Sequence, residues 1–133
     1  KPRSDEFFLV SGKDSASCSG VTIFTWPTKF LGDRTLWMHP VDAERLGIST
    51  GDMIEVTGID TGVKGEARVT VTNRVMPGSL FSHGFSGGVR TKNLPPEYAW
   101  VREGINSHWF ATGFAQPVCG NLANNSSVRV KRL

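Results

Sequence analysis

Met53-Ile54-Glu55-Val56-Thr57, then Asp60-Thr61-Gly62, then Glu66-Ala67-Arg68-Val69-Thr70-Val71 is the stretch that decides the fold. Ile54 and Val56 alternate with Glu55 and Thr57, and Ala67, Val69 and Val71 alternate with Glu66, Arg68 and Thr70. A period of two puts successive side chains on opposite faces of an extended chain. The Asp-Thr-Gly between the runs supplies turn chemistry, so the segment predicts an antiparallel hairpin. Ile54, Val56, Ala67, Val69 and Val71 are expected inward, because one buried face fixes the register.

Working outward, Phe7-Phe8-Leu9-Val10 is an apolar run ended by Ser11-Gly12 and fits a buried strand. Val21-Thr22-Ile23-Phe24, stopped at Trp26-Pro27, is another strand candidate. Leu36-Trp37-Met38 is extended, since His39 precedes Pro40 and is pushed out of the helical region. Pro40 suits the first position of a short helix, and Asp42 and Glu44 favour its positive end. Ala43 and Leu46 share a face of that helix. Gly47 is its left-handed stop, with Ile48 folding back over the last turn. Ser49-Thr50-Gly51-Asp52 and Pro77-Gly78 are turns. Ser79-Leu80-Phe81-Ser82 and Val128-Arg129-Val130-Lys131 are further strands. Several short strands with one small helix read as a closed β-barrel. No internal linker and no repeat is visible.

The chain has 133 residues, enough for one domain with a core but not two. With 15 glycines, frequent Val, Thr and Ile, and no long helical periodicity, it reads as mainly β. A net charge of +3 with scattered basic residues makes no nucleic-acid stripe and is compatible with a phosphate-bearing ligand. No stretch has the form of a bilayer span or a signal peptide, so no direct membrane insertion is expected. Cys18 and Cys119 make neither a disulfide framework nor a metal site. They can pair or stay as two free thiols. The chain begins at Lys1 rather than Met, so residues 1–133 are expected to be a single domain excised from a longer chain or a processed product.

Three polar loops stand out: Ser11 to Gly20, Ser82 to Gly88, and a C-terminal group running from Gly104-Ile105-Asn106-Ser107-His108 to Asn124-Asn125-Ser126-Ser127. Amide, imidazole and hydroxyl groups offer donors and acceptors without net charge. That set suits the edge of a planar heterocycle or a phosphate oxygen better than proton-transfer chemistry. Three such loops on a small domain suggest a ligand cradle.

The sequence resembles the molybdopterin-guanine-dinucleotide-binding domain at the C-terminus of the dimethyl-sulfoxide-reductase family, over nearly the whole chain. The segment Leu36 to Ile48 with Gly51-Asp52 looks like that family's helix-bearing segment. Met76-Pro77-Gly78 followed by His83-Gly84-Phe85 looks like its Pro-Gly…His-Gly strand and loop. Gly104-x-Asn106, Pro117, Gly120 and Asn125 ahead of Val128-Arg129-Val130 look like its closing pattern. The chain departs from that pattern at Ser107-His108-Trp109, where a further Asn and an aliphatic residue are common.

The resemblance implies a six-stranded double-psi β-barrel with short helices, of the aspartate-decarboxylase-like kind. It implies the cofactor molybdopterin guanine dinucleotide, with molybdenum or tungsten held by upstream domains. It also implies as partners the remaining domains of the same catalytic chain and an iron–sulfur electron-transfer subunit. On overall similarity the expected enzyme is a sulfur- or arsenic-oxyanion reductase, periplasmic or cytoplasmic, with the isolated domain inactive. No catalytic residue and no metal ligand is assigned in this chain.

The candidate cofactor-binding residues are Lys13, Asp14, Ser15, Ser17 and Ser19 in the first loop, His83, Gly84 and Phe85 in the second, and Asn106 and Asn125, which the resemblance favours, together with His108 beside Asn106 and Lys131, whose charge suits a phosphate. Each has a plainer reading. The first loop can be a Ser-rich turn, His83 a histidine satisfied by its surroundings, Asn106 a turn residue, Asn125 a strand cap and Lys131 a solvated terminal charge. His39 reads as structural, and Trp26, Trp37, Trp100 and Trp109 as core or interface residues. The loops are expected to converge at one rim of the barrel. Two rivals stand beside this reading. One is a non-enzymatic double-psi-barrel adaptor. The other is a pyruvoyl-type decarboxylase relative cleaving at Gly78-Ser79, against which Pro77-Gly78 is simply a turn.

Overall fold

A computed structural model describes residues 4–12, 33–83, 87, 93–111 and 126–133. Six strands close into one barrel: Glu6–Gly12 (β1), Leu36–Met38 (β2), Met53–Gly58 (β3), Lys64–Val71 (β4), Ser79–His83 (β5) and Ser126–Arg132 (β6). Their order around the wall is β1-β5-β2-β4-β3-β6. β1 with β5 and β2 with β4 are parallel, and the other four pairs are antiparallel.

Exchanging β1 with β4, β2 with β5 and β3 with β6 leaves every pairing and its direction unchanged. This interlocked pseudo-two-fold is the double-psi β-barrel that the family resemblance implies. It is a repeat of pairing with no repeat of residues, so sequence inspection finds none.

The hairpin forms as read, with Met53 opposite Arg68 and Thr57 opposite Lys64. Ile54, Val56, Ala67 and Val69 are fully buried inside the barrel. Val71, expected inside with them, is only partly buried, because it sits in the last position of β4 at the barrel's mouth. Leu36, Met38, Leu80, Leu9 and Val128 complete the interior.

The helix α1 spans Pro40–Leu46. His39 caps it, its Nδ1 accepting from the Val41 N–H at 3.2 Å. Gly47 turns left-handed at φ 64°, which glycine adopts without Cβ strain. Ile48 N–H reaches Ala43 O at 2.8 Å and Gly47 N–H reaches Glu44 O at 3.1 Å, so the end is a Schellman motif. Asp42 is buried, and its Oδ2 accepts from Gly78 N–H at 2.7 Å, pinning the helix to the turn before β5. Gly78, at φ 80°, is therefore the turn residue that Pro77-Gly78 predicts.

β1 departs from its expected burial. Phe7 and Leu9 point inward at 3% and 0% exposure, while Phe8 and Val10 on the outer face are 58% and 36% exposed. The strand candidate Val21–Phe24 lies outside the described residues. Among the described residues no helix is long and apolar enough to cross a membrane.

Candidate functional site

The pairings sort the connections by barrel end. β1 and β5 run parallel, with Gly12 beside His83, while Ser126 at the start of β6 lies beside Leu9. The first residues of β2 and β4 and the last of β3 stand at that same end. The chain therefore leaves β1 towards Lys13, leaves β5 towards Gly84 and approaches β6 from Asn125, all at one end. The opposite end holds α1 and the turns before β3 and β5.

Ile105 and Phe110, each 1% exposed, plug the loop-bearing end. They fit because Gly58 and Gly65 have no side chain: a Cβ on Gly65 would stand 2.7 Å from Ile105 Cγ2, and one on Gly58 would stand 3.3 Å from Phe110 Cδ1. The plug carries the Asn106 segment with it. Ser82 Oγ donates to Ile105 O at 3.0 Å, and Gly87 N–H donates to Glu103 O at 2.7 Å. Gly87 approaches so closely that a Cβ there would collide with the Gly104 carbonyl. The segment after His83 and the segment before Asn106 are thus held together, backbone to backbone.

Asn106 caps the 3-10 helix Ser107–Phe110. Its Oδ1 accepts from His108 N–H at 3.0 Å, while its NH2 group donates to nothing among the described residues. His108 is exposed in the first turn of that helix.

His83 lies 6% exposed on the outer wall. Its imidazole stands edge-on to Trp37 and Phe81, at ring-centre separations of 4.7 and 5.0 Å. Its Nε2 comes within 3.3 Å of Asp33 Oδ2. The same carboxylate accepts from Trp37 Nε1 at 2.8 Å, from Thr35 N–H at 2.8 Å and from Thr35 Oγ1 at 2.7 Å. Burial alone would raise the Asp33 pKa, but the close approach of the His83 imidazole and the bonds from Thr35 and Trp37 outweigh it and hold the carboxyl well below the usual carboxylate range. Gly12 shapes the same cluster, since a Cβ there would stand 2.7 Å from the Phe81 ring.

Of the residues singled out from the sequence, His83, Asn106 and His108 are described and stand at the loop-bearing end. Lys131 is not brought there. It is exposed, opposite Glu55 near the start of β3, towards the other end of the wall. Lys13, Asp14, Ser15, Ser17, Ser19, Gly84, Phe85 and Asn125 lie outside the described residues. Sequence reasoning missed Asp33. Its signal was an Asp two residues before a Thr at the mouth of a strand, the pattern of an Asx-turn. It also missed a groove of about 450 Å³ over the outside of β4, where Arg34, Arg68 and Arg102 meet Glu66 and Glu103. Arg34 stacks there on Trp100, 4.4 Å from its ring centre.

A barrel that brings the His83 and Asn106 segments to one end, with the Asn106 amide N–H donors unengaged among the described residues and the His83 imidazole packed against Trp37, has the chemistry to meet a polar heterocyclic ligand. The donor set fits a pterin edge, which takes paired donors and acceptors. The model for the molydopterin dinucleotide binding domain matches residues 7–106, and the chain belongs to that family. Its cofactor is molybdopterin guanine dinucleotide. The chain is 26% identical over 132 residues to the thiosulfate reductase molybdopterin-containing subunit of Salmonella typhimurium, covering 98% of this chain and 16% of that one. Acetylene hydratase from Pelobacter acetylenicus superposes with a TM-score of 0.70 at 13% identity, over 96% of this chain and 18% of that one. The second likeness is one of fold. This chain spans less than a fifth of either relative.

Proposed function

We propose that this barrel is the cofactor-covering domain of a molybdenum or tungsten oxidoreductase that reduces a sulfur or arsenic oxyanion. The observation that carries the reading is the gathering of the His83 and Asn106 segments at one barrel end, in a chain of this family. The sulfur chemistry is supported by the likeness to a thiosulfate reductase subunit along 98% of this chain.

In this reading the domain binds and orients. The Asn106 NH2 group donates to an acceptor on the pterin edge, while its Oδ1 stays engaged with His108 N–H. His83 is held by Asp33 and packs against Trp37 and Phe81, which fixes the base of the second loop. The loop from Lys13 to Ser19, with Asp14, Ser15 and Ser17, supplies N–H, hydroxyl and ammonium partners to the diphosphate. Gly84, Phe85, His108 and Asn125 are further cofactor contacts in this reading. Lys131 has no part in it. The bound cofactor supplies the metal's redox chemistry, and metal ligand and substrate funnel belong to other domains. The domain alone therefore turns nothing over, and electrons arrive through an iron–sulfur partner subunit.

The test uses the full-length enzyme. Asn106→Ala should weaken cofactor retention by roughly 1–3 kcal/mol by leaving ligand polar groups unpaired. Asn106→Asp keeps the capping oxygen and loses the NH2 donor, so it should lower molybdenum or tungsten content with the helix intact. Full metal content in both variants would remove Asn106 from the site. Turnover of nitrate but not of thiosulfate or arsenate would remove the oxyanion assignment.

A further inference from the structure

A strand that is apolar on both faces is normally buried on both faces. β1 is apolar on both, as Phe7-Phe8-Leu9-Val10, yet Phe8 is 58% and Val10 36% exposed. β3 and β4 show the ordinary arrangement, with Glu55, Thr57, Glu66, Arg68 and Thr70 on their outer faces. The apolar face of β1 does not end at the strand. Phe8 shares a groove of about 450 Å³ with Ile59, itself 40% exposed, and with Asp60, Pro77 and Gly78. Met76, next to Pro77, is 76% exposed. Single exposed apolar residues need no explanation, but a groove with several on its walls marks a contact surface.

We infer that this groove is the seat of an upstream segment of the same polypeptide, one that inserts an apolar side chain beside Phe8 and sets a Lys or Arg against Asp60. The inference rests on the reading that the barrel is one domain of a larger subunit. Three observations select this occupant. The chain enters β1 at Glu6, which lines the groove, so polypeptide preceding β1 is delivered to its edge. The relative that matches 98% of this chain is covered by it to only 16%, which leaves ample further protein to be packed against. The polar members of the groove are Glu6, Asp60 and Ser127, with no basic side chain among them. Glu6 is engaged by Arg129 at 3.1 Å, which leaves Asp60 as the carboxylate that favours a basic partner. A second copy of this barrel would bring the same acidic rim against itself.

The full-length subunit tests this. Phe8 is replaced by p-benzoyl-phenylalanine, the protein is irradiated, and the cross-linked peptides are identified by mass spectrometry. Metal content is measured on the unsubstituted subunit. The expected result is an internal cross-link to a segment preceding this domain that carries an apolar residue with a Lys or Arg nearby. A cross-link between two copies, a cross-link to another polypeptide, or none at all overturns the inference. As a second arm, Phe8→Ser should raise the rate of protease cleavage in that upstream segment several-fold, and an unchanged rate counts against docking. Internal cross-linking in a subunit free of molybdenum and tungsten would sink the functional reading and leave the docking intact. A metal-loaded subunit without the cross-link would do the reverse.

Discussion

The two ends of this barrel are related by the pairing symmetry and used differently. At one end α1 brings in Ala43 and Ile48, 2% and 5% exposed, and closes with a Schellman turn and the Asp42–Gly78 bond. At the other, Ile105 and Phe110 serve as the plug, but they arrive on a long excursion between β5 and β6. Both ends satisfy the need to cap an apolar interior. The first does so with short local connections. The second does so with segments tied, among the described residues, by the Ser82–Ile105 and Gly87–Glu103 bonds, and these carry His83 and Asn106 of the candidate site. Binding residues commonly sit on loops positioned by a scaffold of regular structure, and here the barrel wall positions His83 and the Asn106 segment.

The largest effect should come from the α1 end. Asp42→Ala removes the acceptor for Gly78 N–H and the partner of Arg45, which stands at 2.6 Å. Because Asp42 is buried and charged, the loss should be about 2–3 kcal/mol, read as a lower urea midpoint. Cofactor content of the folded fraction should not change. If it falls, the two ends are coupled and the division of labour is wrong.

Gly12→Ala should do the opposite kind of damage. The added Cβ meets the Phe81 ring at 2.7 Å and forces it against Trp37 and His83. Overpacking of this sort costs about 1–2 kcal/mol. Here cofactor content should fall with stability, since the ring braces the His83 loop. A loss of stability with full cofactor retention would make the Trp37–Phe81–His83 cluster purely structural.

Acid sharpens the comparison further. The Asp33 carboxyl titrates lower in the folded protein than in the unfolded chain, where it sits at about 3.9. Its stabilisation is therefore present above about pH 4 and is lost as the pH falls below that value. Asp33→Asn should flatten the acid limb of the stability curve. The side chain is 34% exposed, so water screens it and the effect at neutral pH should be roughly 1 kcal/mol. An unaltered acid limb would mean that Asp33 is not ionised against His83.

How far the sequence discloses this division follows from where the signals lie. The α1 end is written in local chemistry. Pro40, Gly47 and the alternation from Ile54 to Val69 each dictate a conformation within a few residues and are found as read, with Val71 alone less buried than expected. The barrel's closure and its symmetry depend on which distant strands pair, which no local pattern encodes. The Asp33–His83 contact joins residues fifty positions apart in sequence and is equally silent. The candidate site is half legible. His83 and Asn106 are legible through a family pattern, His108 only through its place beside Asn106, and Lys131 only through its charge, which does not say which end of β6 it occupies.

Lys131 is accordingly the position where the comparison predicts almost nothing. It is exposed, its Cα faces Glu55 across the β3–β6 ladder, and Glu55 already holds Lys64 at 3.0 Å. Lys131→Ala removes a solvated charge without leaving a buried group unpaired, so stability should move by no more than about 0.5 kcal/mol. Its distance from the loop-bearing end makes the sharper statement. A diphosphate seated among Lys13–Ser19, His83 and Asn106 would lie beyond direct contact with it, and salt screens what remains of the attraction beyond about 8–10 Å. Metal content in the full-length enzyme should therefore match the unsubstituted protein at both low and high salt. If Lys131→Ala instead sheds cofactor, and does so more at low salt, the diphosphate extends down the β3–β6 wall, and the site belongs to both ends of the barrel.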